Sequence, residues 1–73
     1  MAREIAVGGP IALGSFLKLS GAAATGGEAK RLIQSGAVRV NGEVELRRGH
    51  DVLPGDLVQT GGEQYLATDR GAP

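Results

Sequence analysis

Few residues of this 73-residue chain could do covalent or acid–base chemistry, and each fails on its surroundings. His50, the single histidine, stands beside Asp51. Adjacent residues on an extended segment point to opposite faces, so that pairing is a poor route to a shared site. Glu43 and Glu45 fall on one face of a predicted strand, but a face open to water leaves nothing to separate their pKa values. Gly21-Ala22-Ala23-Ala24-Thr25-Gly26 has the glycine spacing of a P-loop, which should continue with Lys and a hydroxyl residue. The next residues are Gly27 and Glu28, and an acid there repels phosphates. With no cysteine there is neither a disulfide nor a thiolate metal site. A chain this short forms one domain over residues 1–73 and offers only shallow pockets. We therefore expect no enzyme activity, cofactor, metal or small-molecule substrate.

The cations point elsewhere. The net charge is zero, yet residues 16–50 carry six cations against three anions, while residues 51–73 carry four anions against Arg70. A basic middle with an acidic tail can present a positive face to a polyanion despite the neutral total. Lys30 and Arg31 fall in the first turns of a predicted helix, where the macrodipole disfavours cations and favours a docked anion. Thr25, Gly26 and Gly27 offer unobstructed backbone N–H groups at that point, and a phosphate held there would relieve the conflict. The bland alternative is that the two glycines ease a tight turn and the cations are solvated. Arg39, Arg47 and Arg48 are expected along the rim of the following sheet. Only Phe16 and Tyr65 are aromatic, too few for stacking single-stranded bases.

The elements that must position these groups can be read from spacing. Glu4 to Val7 reads as a short edge strand, and Pro10 suits the first turn of a helix. Leu13, Phe16 and Leu17 form its buried stripe, Lys18 lies near the stripe's edge, and Gly21 ends it. Thr25 to Glu28 has capping-box spacing, Ala29, Leu32 and Ile33 form the second buried stripe, and Gly36 stops that helix. Val38, Val40, Val44 and Leu46 alternate with Arg39, Glu43 and Glu45 around Asn41-Gly42, the strongest short hairpin signal. Pro54-Gly55 predicts a type II turn, Leu57-Val58 a strand, Gly61-Gly62 a turn, and Tyr65 to Ala67 a last strand. Residues 69–73 read as a frayed tail. The predicted architecture is α+β, a helical hairpin packed on a small, mainly antiparallel sheet. Gly8, Gly9, Pro10 and Lys18 break the apolar stretch near the N-terminus short of a membrane span, and no secretory signal is evident, so a cytoplasmic location is expected.

In this order, Leu13-x-x-Phe16-Leu17, Gly21, Thr25-Gly26-Gly27-Glu28-Ala29-Lys30-x-Leu32-Ile33 and Gly36-x-Val38-x-Val40-Asn41-Gly42 resemble the S-four RNA-binding domain, the αL motif of ribosomal small-subunit protein four. The likeness continues through Arg47-Arg48 and Pro54-Gly55-Asp56-Leu57-Val58, covering about residues 11–58, and is strongest to small stand-alone bacterial members called YbcJ-like. It implies a domain that binds structured RNA, ribosomal or transfer, through the helical hairpin and an adjoining basic loop. By position it implicates Lys18, Thr25, Gly26, Gly27, Lys30, Arg31, Arg39, Asn41, Arg47 and Arg48, although the Asn-Gly turn alone explains Asn41. Many relatives have Ser-Arg where this chain has Gly26-Gly27, and Lys where it has Glu43; its basic loop also holds Gly49 and Asp51. Fewer cations imply weaker, more salt-sensitive binding. A monomer is the default, and the alternative function is a protein-interaction domain that keeps the fold without binding RNA.

Overall fold

The computed structural model describes residues 2–70. Its elements are β1 (Arg3–Val7), β2 (Ile11–Ala12), α1 (Leu13–Ser20), α2 (Gly26–Gln34), β3 (Arg39–Val40), β4 (Glu43–Val44), β5 (Asp51–Val52), β6 (Leu57–Thr60) and β7 (Glu63–Asp69). A five-stranded sheet runs β1-β7-β6-β3-β4, antiparallel except for β1 beside β7, and β2 pairs with β5 separately. The fold is α+β, as expected.

The helices follow from their spacing. Leu13, Phe16 and Leu17 of α1 and Ala29 and Ile33 of α2 are fully buried, and they join Val38, Val40, Val52, Val58, Tyr65 and Ala67 in one core. Leu32, expected in the second stripe, is only partly buried against that core. Helix α2 ends in a Schellman arrangement: the N–H of Gly36 donates to Ile33 O and that of Ala37 to Leu32 O, with Gly36 at φ 81°. Gly21 closes α1 at φ 83°, a left-handed conformation that favours glycine.

Three expectations need correction. Pro10 does not open a helix. Ile11 and Ala12 are extended and pair with Val52 and Asp51, so α1 starts at Leu13. The hairpin valines do not share a face. Asn41 and Gly42 both take positive φ, 52° and 86°, which makes a two-residue turn with Val40 opposite Glu43 and Arg39 opposite Val44. Such a turn exchanges the parity of the returning strand. Val40 therefore lies buried beside Val58 and Tyr65, whereas Val44 and Leu46 are exposed. The tail does not fray from residue 69: Asp69 closes β7 opposite Val7, and Arg70 N–H donates to Val7 O. The rest of the expected tail, residues 71–73, lies outside the described residues.

Candidate nucleic-acid interface

The N-terminus of α1 is built against the loop that follows the hairpin. Ala12 supplies no side-chain cap, and the first helical N–H groups go instead to loop carbonyls, Leu13 N to His50 O at 2.8 Å and Gly14 N to Arg48 O at 3.0 Å. Such partners satisfy donors that a helix start otherwise leaves open. Close approach requires residue 14 to lack a side chain, because a Cβ there would meet Arg48 Cγ at 2.9 Å. The stem of Arg48 thus lies across the first turn of the helix. Together with Gly14, Ser15, Lys18, Gly26 and Gly49 it lines an open hollow of about 280 Å³. Lys18, Gly26 and Arg48, which are scattered in sequence, meet on this surface. Ser15 and Gly14 join them without having been singled out by type; a glycine inside a helical stripe was the available signal.

The N-terminus of α2 forms one wall. Thr25 Oγ1 accepts from Glu28 N at 3.1 Å, as the capping spacing predicts. Glu28 reaches back one residue further than in a standard box, accepting from Ala24 N at 3.3 Å. The expected dipole conflict does not arise: Arg31 lies in the last turn of the nine-residue helix, where the dipole favours a cation, Lys30 is mid-helix, and the first turn carries the acid Glu28. Gly26 and Gly27 are exposed; a side chain at Gly26 would stand in open space, and one at Gly27 would meet only Thr25 Oγ1, at 4.0 Å. Lys18, Lys30, Arg31 and Arg48 are exposed, and among the described residues none of their side chains enters a hydrogen bond or ion pair.

The other candidates are engaged elsewhere. Arg47 donates from Nε to Glu45 Oε2 at 3.0 Å and from its backbone N to the same oxygen at 2.9 Å. His50 Nδ1 lies 3.1 Å from Glu45 Oε1. These contacts hold the Glu45 carboxyl at about 2, down from 4.5, first through the Arg47 side-chain hydrogen bond and then through its backbone one; partial burial opposes the shift. Arg47 is raised by the same partner. Glu45 is thus a shielded clamp rather than a surface acid, and turn parity explains it, since Glu45 N donates to Val38 O and returns opposite a buried valine. Asn41 ties its turn to β6, with Nδ2 donating to Asp56 Oδ1 at 3.0 Å and Oδ1 accepting from Leu57 N at 2.9 Å. Arg39 does not reach the hollow. It donates to Gly42 O and lines a separate concavity with Gln59, Gln64 and the β6–β7 turn. No group of three or more His, Asp or Glu among the described residues could hold a metal ion, and none of their helices is long and apolar enough to cross a membrane.

A family model described as S4 domain matches residues 4–67, from within β1 to within β7. The probable ribosome maturation protein RlbA of Bacillus subtilis (strain 168) is 42% identical over 52 residues, which span 71% of this chain and 73% of that protein. The family match runs wider than the 11–58 likeness seen in the sequence, because it takes in the outer strands.

Proposed function

This chain belongs to the S4 domain family, an RNA-binding family, and from that premise we propose that it grips structured RNA, ribosomal or transfer, by its phosphates. The helical hairpin and the basic loop after β4 supply the contacts. One observation carries the reading: Lys18 and Arg48, both without a side-chain hydrogen bond or ion pair among the described residues, converge with the start of α2 on one hollow. Lys30 and Arg31 extend the charge along α2, outside the hollow's own lining. Lysine and arginine on phosphate oxygens give affinity without reading sequence, which suits a folded RNA recognised by its shape.

The aromatic residues support this mode over single-strand stacking. Phe16 is fully buried and Tyr65 nearly so, which leaves neither ring free to stack on a base. Arg47, committed to Glu45, acts in the loop's architecture, while Arg39 and Asn41 stand apart from the gripping surface. The relative's name refers to ribosome maturation, so ribosomal RNA is the first RNA to test, and the cytoplasm is the corresponding place of action.

The test is titration of the chain into a labelled ribosomal stem-loop and a matched single strand across a salt series. Each neutralised phosphate lowers log K by about 0.7–0.9 per decade of salt. The expected result is tighter binding of the stem-loop with a slope worth about three to six contacts. Equal binding of the two RNAs removes the structured-RNA reading. No binding at low salt favours a protein-interaction domain instead.

A further inference from the structure

We propose that Glu45 is a positioning residue for RNA binding, acting through Arg48 by locking the turn from Arg47 to His50. The proposal rests on the reading of the Lys18–Arg48 hollow as the RNA surface. One carboxylate gathers the backbone N–H and guanidinium of Arg47 and the imidazole of His50, so it spans the turn from its first residue to its last. Inside the turn His50 N donates to Arg47 O at 3.2 Å. The far side of the turn is fixed to α1, where Arg48 O and His50 O accept from Gly14 N and Leu13 N. Arg48 is thus carried on a segment held by a carboxylate at one side and a helix start at the other. Its own side chain enters no hydrogen bond or ion pair among the described residues. The two neighbouring arginines divide the work: Arg47 faces Glu45 as an internal strut, and Arg48 enters the hollow.

Holding a long cationic side chain near its bound position reduces the ordering cost of binding. Removing Glu45 frees Arg47 to compete as a loose cation and lets the turn sample other shapes. RNA affinity then falls although Glu45 is an acid whose loss makes the surface more positive. A residue acting only through general electrostatics gives the opposite sign, since deleting an anion strengthens binding to a polyanion.

The experiment is a double-mutant cycle on the full chain with the labelled ribosomal stem-loop, using wild type, Glu45→Ala, Arg48→Ala and the double variant over the salt series. Glu45→Ala is expected to weaken binding by about three- to tenfold in the wild-type background and by less than about twofold beside Arg48→Ala. Its salt slope is expected to fall toward that of Arg48→Ala. Should Glu45→Ala fail to melt cooperatively, Glu45→Gln replaces it, keeping an acceptor for the Arg47 N–H while removing the charge. Wild-type or tighter binding by the Glu45 variant, or costs that simply add in the double variant, overturns the proposal. Wild-type binding by Arg48→Ala, or no RNA binding by the wild type, instead overturns the reading of the hollow, and the role of Glu45 falls with it.

Discussion

Gly14 sits in the first turn of α1, where alanine would favour the helix by up to about 1 kcal/mol. A Cβ at that position would press on Arg48 Cγ and come within 3.7 Å of Arg48 O, so the gain in helix propensity is set against displacement of the loop. Gly14→Ala is expected to keep its unfolding free energy within about 1 kcal/mol of wild type. Its RNA affinity should fall toward that of Arg48→Ala, as filter binding beside a urea melt would show. Glu45 makes a second prediction at this scale. Its folded pKa of about 2 lies below its ordinary 4.5, so its contribution to stability is present above about 4.5 and is lost as pH falls toward about 2. Thermal melts through that acid range should fall more steeply for wild type than for Glu45→Gln. Equal steepness would mean that the clamp contributes nothing to the fold.

Among the elements, α2 separates what periodicity can and cannot tell. The spacing of Ala29, Leu32 and Ile33 gives the direction of the buried face, and two of the three are fully buried. Leu32 lies at the margin of the core, only partly buried, while Ala29 and Ile33 are fully inside it and α2 packs chiefly on α1. Ile33→Ala should therefore cost about 2–5 kcal/mol in chemical denaturation, and Leu32→Ala clearly less. A larger loss from Leu32→Ala would place the buried line one residue away. Caps and turns were the most legible features, because Thr25, Gly36, Asn41-Gly42 and Pro54-Gly55 each act through their own backbone neighbours. The valine alternation alone does not give the buried face, because the turn's parity also decides it. A two-residue turn puts Val40 opposite Glu43, so Val44 returns on the outer face with Arg39.

At the scale of the whole molecule, the first and last strands in chain order lie side by side. Among the described residues β1 is an edge strand paired with β7 alone, joined in parallel from Arg3↔Tyr65 to Val7↔Asp69, with Val7 fully in the core. Removing residues 1–7 should abolish cooperative unfolding, because Val7 leaves the core and β7 loses its outer ladder. A sharp melt for the truncated chain would show that the motif over residues 11–58 stands without this strand. A single sequence makes the parallel pairing hard to see, since its register is set by contacts between residues about sixty positions apart. By itself the sequence determined the α+β class, both helices, the tight turns and the basic character of the middle segment. Those depend on local backbone preference, on spacing and on charge, all written along the chain. Only the tertiary structure decided which cations share a surface. Lys18 and Arg48 are thirty residues apart in sequence, and they meet because loop carbonyls cap α1 and Gly14 leaves room for the arginine. Arg47, one residue away and identical in type, is turned aside by a single carboxylate.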